Sequence, residues 1–246
     1  MTFSANQTTE LEPGLMLRGV PAGLRLSDFK LIAFDMDSTL INIECVDEIA
    51  AEAGRKAEVA AITEAAMRGE ITDYKQSLRE RVALLRGVPV SAMQAVYDTR
   101  LQLNPGAAEL VRACQNAGLK VLLVSGGFTF FTDRIKARLG IDFARSNVLA
   151  TESNGSDDVL SGRMVDQPWG DICDGNEKRR TVLEVATLMG IAPSQVIAMG
   201  DGANDLPMMG VAGLSVAYQA KPAVREQAMV AINSGGLDRL LRVVTP

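Results

Sequence analysis

Short apolar runs alternate with helix-like segments along most of the chain. The most nearly apolar runs cover residues 30–33, 119–124, 195–199 and 214–217. Runs of this length are typical of strands buried on both faces, and the segments between them repeat apolar residues at helical spacing. Strands that alternate with helices build a parallel sheet covered on both sides. The pattern therefore predicts an α/β fold: a Rossmann-like parallel sheet with helices on both faces.

The alternation stops after the first strand. Residues 44–103 show helical spacing and no convincing strand, and they predict four consecutive helices. A crossover between parallel strands usually needs only one helix. We therefore predict an inserted helical cap over residues 44–103, between the two core segments 29–43 and 104–246, with residues 1–28 as an N-terminal extension.

After the predicted cap, strand and helix signals alternate again. A third strand is predicted over residues 144–150, followed by a small β-hairpin flap in the turn-rich residues 151–165. A last helix is predicted over residues 237–243. The polar residues 1–12 have no clear period and predict a loosely held segment.

The composition restricts the possible functions. Of the 246 residues, 47% are hydrophobic and 22% are charged, as in ordinary globular proteins. The net charge of −5 argues against a general nucleic-acid binder, which needs a basic surface. Because the chain contains no histidine, serine–histidine triads and histidine-based zinc sites are excluded.

The cysteines and the N-terminal sequence bear on the cellular compartment. Cys45, Cys114 and Cys173 are far apart and odd in number, which favours reduced thiols over disulfides. The first residues lack the basic and apolar segments of a signal peptide, and no apolar run approaches the roughly 18 residues of a membrane span. The sequence therefore predicts a cytoplasmic protein that does not enter membranes.

Acidic side chains follow two of the predicted strands. Asp35 and Asp37 come directly after the first strand, and Asp201, Asn204 and Asp205 follow a later one. Right-handed crossovers bring the ends of parallel strands to one edge of the sheet, so these side chains can converge. Two carboxylates one residue apart repel each other unless a cation or a shared proton intervenes. Carboxylates from two strands form an oxygen site of the kind that Mg²⁺ prefers.

Two further features suit an anionic group. Ser125, Gly126 and Gly127 follow a strand and precede a helix, where a hydroxyl and backbone N–H groups can bind an anion. Lys178 adds a positive charge, although it lies in a charged run of the kind that is usually solvated. A metal, N–H donors and a lysine are the parts that hold a phosphoryl group during transfer. Without histidine, the nucleophile would be a carboxylate that forms an aspartyl-phosphate.

The order of these motifs resembles the haloacid dehalogenase superfamily, whose first signature is DxDx[TV]. Within that superfamily, residues 35–44 and 124–128 resemble the phosphoserine phosphatase family. The resemblance implies a Mg²⁺-dependent hydrolase that converts O-phosphoserine to serine and phosphate, the last step of serine biosynthesis. The motifs concerned are residues 34–40, 125–127 and 200–205, together with Lys178.

The resemblance also implies catalytic roles. Asp35 would be the nucleophile. Asp37 would protonate the departing serine oxygen and then activate water against the aspartyl-phosphate. Lys178 would bridge Asp35 and the phosphoryl group. These roles agree with the charges of the residues, because a metal and a lysine offset the repulsion between an anionic nucleophile and an anionic ester.

The remaining implied contacts are to the metal and to the phosphoryl oxygens. The metal ligands would be Asp35, Asp201 and the backbone carbonyl of Asp37, with Asp205 close by in support. The residues on the phosphoryl oxygens would be Ser125, Gly126 and Asn204, the last of which could also contact the attacking water.

Substrate choice is expected to come from the cap. Phosphoserine carries an ammonium and a carboxylate, so a selective pocket needs one fixed anion and one fixed cation. The resemblance puts Glu44 on the ammonium and Arg81 on the carboxylate, which a planar guanidinium can bind with two hydrogen bonds. It puts Met67 and Tyr74 over the apolar part. Arg81 could instead be a solvated helix residue, and Met67 a core residue.

Other functions remain open on the sequence. The same chemistry could act on another small phosphomonoester, or transfer the phosphoryl group to an acceptor such as homoserine. A response-regulator-like module would also carry an aspartyl-phosphate at a Mg²⁺ site, but the inserted helices and Asp37 argue against it. The expected partner is a small-molecule substrate, and the chain could be a monomer or a homodimer. Many family members carry an N-terminal regulatory domain, which 28 residues are too few to form.

Overall fold

The computed structural model describes residues 8–67, 73–155, 157–170 and 172–245, with residues 63–67 described by their backbone alone. The described residues form nine strands in one mixed sheet, and nine α-helices. The strands are β1 (Thr8–Glu12), β2 (Leu15–Arg18), β3 (Leu31–Phe34), β4 (Lys120–Phe128), β5 (Phe143–Asn154), β6 (Asp157–Val165), β7 (Val196–Gly200), β8 (Leu214–Tyr218) and β9 (Val230–Ile232). The helices are α1 (Cys45–Glu52), α2 (Lys56–Met67), α3 (Tyr74–Ala83), α4 (Ser91–Thr99), α5 (Ala107–Asn116), α6 (Thr129–Leu139), α7 (Gly175–Leu188), α8 (Leu206–Met209) and α9 (Pro222–Arg225).

Six parallel strands form the centre of the sheet, in the order β9–β8–β7–β3–β4–β5. Every residue of β3, β7 and β8 is buried, which explains why these strands are almost continuously apolar in sequence. The predicted Rossmann-like parallel sheet is therefore confirmed. The strand order reverses on either side of β3, and ligands of α/β sheets usually bind at the carboxyl ends of strands at such a point.

The register of the central strands aligns the motifs that follow them. Phe34 in β3 pairs with Leu123 in β4 and with Met199 in β7. Asp35 therefore lies within two residues of the level of Ser125 in β4 and of Asp201, which follows β7. Because the three strands are parallel, the side chains beyond their ends meet at one edge of the sheet.

Helices α1 to α4 lie between β3 and α5 in the chain, as the helical spacing predicted. We call them the inserted helices. The carboxylate of Asp73 accepts a hydrogen bond from the backbone N–H of Lys75 and so caps the start of α3. Val46 and Ile49 of α1 are buried in the same apolar cluster as Phe34, so the inserted helices share a core with one face of the sheet.

The N-terminal prediction is partly wrong. Residues 1–12 were expected to be loosely held, but Thr8–Glu12 forms strand β1, which pairs antiparallel with β2. Strand β2 in turn pairs antiparallel with β9 and so extends the sheet. Strand β1 lies at the edge of the sheet with mostly exposed side chains, so it lacks an apolar period. Residues 1–7 lie outside the described part of the chain.

The predicted β-hairpin is confirmed, but the strand expected over residues 144–150 continues into it. Strand β5 is continuous: its first part pairs parallel with β4, and its second part pairs antiparallel with β6. The β5–β6 hairpin also contacts the inserted helices. The backbone N–H of Leu160 donates to Val88, and its carbonyl accepts from the N–H of Gly87, both at 2.8 Å. The hairpin therefore connects the sheet with the inserted helices.

Two smaller features complete the fold. The predicted last helix is a 3-10 helix over Leu237–Arg242, with the tighter turn common in short segments. Among the helices of the described residues, none combines the length and apolar character needed to cross a bilayer.

Candidate active site

A cavity of about 700 Å³ is lined by the carboxyl edge of the sheet and by the inserted helices. The sheet side contributes Asp35, Ser125 and Asp201, and the helical side contributes Glu44 and Arg81. The motifs that are far apart in the chain are therefore brought together around one space. Its lining combines several carboxylates with few cations, which suits a site that also takes up a metal ion.

Lys178 lies beneath the cavity between two aspartates. Its Nζ is 2.5 Å from Oδ1 of Asp35 and 2.7 Å from Oδ1 of Asp205, and none of the three residues is more than 5% exposed. Helix α7 places the lysine there, because the carboxylate of Asp174 accepts from the N–H of Glu177 and fixes the first turn of the helix. The charged run around Lys178 is thus not wholly a solvated helix face.

Asp205 makes more contacts that stabilise the site than the sequence predicted. Besides contacting Lys178, its Oδ2 accepts hydrogen bonds from the backbone N–H groups of Asp201 at 3.1 Å and Gly202 at 3.0 Å. A Cβ on Gly200 would lie 2.3 Å from the Asp205 carboxyl group, so only glycine fits there. These contacts fix the turn that presents Asp201 to the cavity.

Asp35, Asp201 and Asp205 form an acidic cluster in which one carboxylate oxygen from each lies within 4.8 Å of the others. The Asp201 carboxylate is oriented by a hydrogen bond from the hydroxyl of Thr39 at 3.1 Å. Three carboxylates facing the single charge of Lys178 leave an excess of negative charge. This donor set fits Mg²⁺, which prefers oxygen ligands. The carboxyl group of Asp37 is not in this cluster. For Asp37, the prediction concerned only the backbone carbonyl.

Burial governs the protonation of these groups. Loss of hydration, and then the neighbouring Asp205, raise the pKa of Asp35 well above its usual value, although Lys178 acts to lower it. Burial and the charge of Asp205 likewise raise the pKa of Asp201 to about 7. For Lys178, burial alone would lower the pKa, but the carboxylates of Asp205 and Asp35 outweigh it and keep the lysine protonated.

Asp37 is held by the first residue of α1. The Cys45 thiol contacts Oδ1 of Asp37 at 3.1 Å, and the Cys45 backbone N–H donates to Oδ2 at 3.3 Å. Burial, followed by the charge of Glu44, raises the pKa of Asp37 to about 7, while both contacts from Cys45 act to lower it. A carboxyl group with a pKa in this range can both donate and accept a proton near neutral pH.

The turn that carries Asp37 is fixed by Asn104, a residue that the sequence did not single out. The turn over Met36–Leu40 includes Ser38 at a φ of 58°, in the left-handed region. The Asn104 side chain donates to the carbonyls of Thr39 at 2.8 Å and Ile41 at 3.0 Å. The sequence did not predict this contact. Its one indication was that Asn104 stands where the helical pattern ends.

Residues 125–127 form an irregular loop within β4, between the paired residues Val124 and Phe128, and this loop offers donors to the cavity. The Ser125 hydroxyl accepts from the backbone N–H of Gly127 at 2.8 Å and keeps its own proton free to donate. Asn147, a second residue that sequence reasoning missed, donates to the carbonyl of Gly126 at 2.7 Å and accepts from the N–H of Cys173 at 2.8 Å. These contacts tie the loop to the segment that leads into α7.

The inserted helices close directly over this loop. The Tyr74 hydroxyl would lie 2.0 Å from a Cβ on Gly126, so the tyrosine rests on the glycine backbone. Asn204 lines the cavity from the opposite turn, and its Oδ1 would lie 2.3 Å from a Cβ on Gly202. Both side chains thus approach a glycine backbone closely, and a Cβ at either glycine would displace them.

The predicted residues for the amino-acid end of a substrate also line the cavity. Glu44 accepts a hydrogen bond from the Ser38 hydroxyl at 2.7 Å. Arg81 is largely buried, with 14% of its side chain exposed, and is not a solvated helix residue. Asp47, which the sequence did not single out, lies 3.9 Å from Arg81. The side chain of Met67 lies outside the described residues.

The chain is similar to known proteins over nearly its whole length. It is 74% identical over 238 residues to a phosphoserine phosphatase from Polaromonas sp., covering 97% of this chain and 99% of the relative. It is 46% identical over 215 residues to a phosphoserine phosphatase from Archaeoglobus fulgidus, covering 87% of this chain and 60% of that one.

Solved structures show the same architecture. A haloacid dehalogenase family hydrolase from Salmonella enterica matches with a TM-score of 0.82 and 39% identity, over 92% of this chain and 74% of the other. A phospho-aspartyl intermediate analogue of phosphoserine phosphatase matches with a TM-score of 0.78 and 38% identity, over 88% and 99%. The family model of haloacid dehalogenase-like hydrolases matches residues 32–210. Together with the cavity and its acidic cluster, these similarities establish that the chain belongs to the haloacid dehalogenase-like hydrolase family.

Proposed function

We propose that this protein hydrolyses O-phosphoserine to serine and phosphate through an aspartyl-phosphate on Asp35. The substrate assignment is carried by the 74% identity, over almost the whole chain, to a phosphoserine phosphatase. The reaction is supported by the cavity, where Asp35 lies beside Lys178 and faces the loop at Ser125. Under the same proposal, residues 44–103 form a cap that covers the substrate.

In the first step, a carboxylate oxygen of Asp35 attacks phosphorus. The bond between phosphorus and the serine oxygen breaks, its electron pair stays on that oxygen, and Asp37 supplies the proton. Lys178 restrains Asp35 by its 2.5 Å contact and adds positive charge next to the attacking oxygen. Ser125 and the N–H groups near Gly126 donate to the phosphoryl oxygens, a form of stabilisation that fixed donors provide efficiently.

In the second step, water attacks the aspartyl-phosphate. Asp37 accepts the water proton, the bond between phosphorus and Asp35 breaks, and the carboxylate of Asp35 is restored as phosphate leaves. The two contacts from Cys45 hold Asp37 for both proton transfers. Asn204, on the turn after β7, is placed to orient the phosphate or the water.

The Mg²⁺ ion would be held by Asp35, Asp201 and the backbone carbonyl of Asp37, with Asp205 supporting the turn. When bound, Mg²⁺ supplies positive charge that offsets the repulsion between the nucleophile and the anionic ester. At the far end of the cavity, Glu44 binds the substrate ammonium and Arg81 its carboxylate.

The direct test is release of phosphate from a panel of esters, with and without Mg²⁺. We expect turnover of phosphoserine to exceed that of other small phosphomonoesters and to require the metal. Asp35→Asn should abolish both turnover and phosphoenzyme formation, whereas Asp133→Asn, the same change at an exposed position of α6, should leave both intact. Normal turnover in the Asp35 variant would rule out this mechanism. Phosphohomoserine as the main product in the presence of homoserine would reassign the protein as a phosphotransferase.

A further inference from the structure

Asp47 and Arg81 form an incomplete ion pair in the wall of the cavity. Nη1 of Arg81 lies 3.9 Å from Oδ1 of Asp47, which is too far for a hydrogen bond. The side chains are only 14% and 31% exposed for Arg81 and Asp47, respectively. Both residues line the same cavity as Asp35 and Ser125.

Each member of this pair has a polar atom without a partner. Within the described part of the chain, Oδ1 of Asp47 and Nε of Arg81 are buried and make no hydrogen bond. Buried polar groups in folded proteins are nearly always satisfied, and charged ones are the most costly to leave unpaired. An unpaired acceptor next to an unpaired donor, both in a cavity wall, points to a ligand that carries both charges.

We propose that Asp47 is a further specificity-determining residue: the amino-acid end of the substrate inserts between Asp47 and Arg81 and replaces their long ion pair. Asp47 then accepts from the substrate ammonium while Arg81 binds the substrate carboxylate. This assignment rests on the proposed hydrolysis of phosphoserine and adds a second acceptor for the ammonium.

One carboxylate is not enough for that ammonium. An ammonium has three donors, and Glu44 already uses one oxygen to accept from the Ser38 hydroxyl at 2.7 Å. Glu44 directly precedes α1 and Asp47 lies in its first turn, and both residues line the cavity. The two carboxylates and the guanidinium thus surround a place for one ammonium and one carboxylate.

The same arrangement rejects substrates without the ammonium. A phosphate ester that has a hydroxyl in place of the amino group still brings its carboxylate to Arg81. That carboxylate then faces Asp47 with no cation between them, and the two negative charges repel. Specificity of this kind combines attraction to one substrate with repulsion of its analogue.

The test compares phosphoserine with 3-phosphoglycerate, which carries a hydroxyl where phosphoserine carries the ammonium. Asp47→Asn keeps the shape and removes the charge. We expect KM for phosphoserine to rise by about tenfold or more, as for a lost hydrogen bond between charged groups, with little change in kcat. For 3-phosphoglycerate, kcat/KM should stay level or rise. Glu52→Gln, a carboxylate-to-amide change further along α1, should alter neither substrate.

Other results would overturn the proposal. Equal losses for both esters would mean that Asp47 only orients Arg81, and unchanged kinetics would remove it from the pocket. A fall in kcat for both esters with a lower Tm would indicate a structural role. Asp47→Ser provides a second, smaller side chain if the asparagine variant folds poorly, and it should give the same split between the two esters. Failure of the wild-type protein to prefer phosphoserine would instead refute the proposed function, and this assignment with it.

Discussion

Asp37 and Cys45 form a contact that bears on the proposed proton transfer. The Cys45 side chain is completely buried, and its thiol meets Oδ1 of Asp37 at 3.1 Å. Burial, followed by the negative charge of Asp37, raises the pKa of the Cys45 thiol, so the sulfur keeps its proton and acts as a donor. The thiol and the backbone N–H of the same residue together determine the orientation of the carboxyl group.

We predict that Cys45→Ala lowers kcat for phosphoserine by about tenfold, within the roughly 10²- to 10⁴-fold that a general acid contributes. The alanine removes the donor and lets the carboxyl group rotate, so the proton reaches the leaving oxygen less often. Steady-state kinetics should show the change in kcat more than in KM. Cys45→Ser, which keeps a donor, should recover much of the rate.

The matched control is Cys114→Ala, which removes a buried thiol in α5 that has no contact with Asp37. It should lower stability without lowering kcat. A pre-steady-state burst with p-nitrophenyl phosphate adds a second criterion, since its leaving group departs without a proton. A burst slowed as much as phosphoserine turnover would argue against the role of Cys45 in placing the acid.

The sequence indicated the charged and polar residues of the predicted site better than the residues that fix their positions. Asp35, Ser125, Lys178 and Asp201 stand at strand ends or helix starts, where chain position predicts convergence. Asn147 could not be found in this way. It contacts Gly126 and Cys173, which lie 21 and 26 residues away in the chain, and nothing in the local pattern records contacts of that range.

Among the elements, the turn after β3 depends most on support from outside. It contains a residue in the left-handed region and leaves carbonyl groups that no regular structure satisfies. Asn104, which lies between α4 and α5, supplies the missing donors. The end of the inserted helices thus stabilises the turn at their beginning.

We predict that Asn104→Ala lowers the free energy of unfolding by about 1–3 kcal/mol, the usual cost of leaving buried acceptors unpaired. It should also lower kcat, because the same turn carries Asp37. Urea unfolding followed by circular dichroism measures the first effect. Asn116→Ala, at an exposed position at the end of α5, is the control and should change neither quantity. Stability within about 0.5 kcal/mol of wild type would contradict the supporting role.

The elements themselves were predicted where burial gives a strong pattern. Strand β3 is buried on both faces, and its apolar run predicted it. Helical spacing likewise predicted the four inserted helices. Strand β1 was missed because an edge strand needs no apolar face, and its hydrogen bonds come from pairing with β2. The hairpin was predicted, but the continuity of its first strand with the sheet was not, because β5 changes partners along its length.

In the whole molecule, the acidic cluster makes stability depend on pH. Burial raises the pKa of Asp35 and Asp201, the latter to about 7. In the metal-free protein, the folded state therefore keeps protons that the unfolded state loses above about pH 4. Below that pH these groups make their full stabilising contribution to the free energy of unfolding. The contribution is lost as the pH rises towards 7.

We predict that Mg²⁺ raises Tm more at pH 8 than at pH 5.5, since protons and the metal compete for the same carboxylates. Thermal unfolding with excess Mg²⁺ or with a chelator measures this difference at each pH. Asp201→Asn should reduce both the Mg²⁺ effect and the decline of metal-free stability between pH 5 and 7. A Mg²⁺ effect that is independent of pH would contradict competition at this cluster.

The continuous strand β5 has a mechanical consequence. It begins in the sheet beside β4, and its hairpin partner β6 is hydrogen-bonded to the segment that follows α3. The hairpin thus joins the sheet to the segment after α3. Any displacement of the inserted helices away from the cavity must either bend β5 or break the contacts at Val88 and Leu160. If the contacts hold, the boundary between the moving and the fixed part runs through β5, far along the chain from residues 43 and 104.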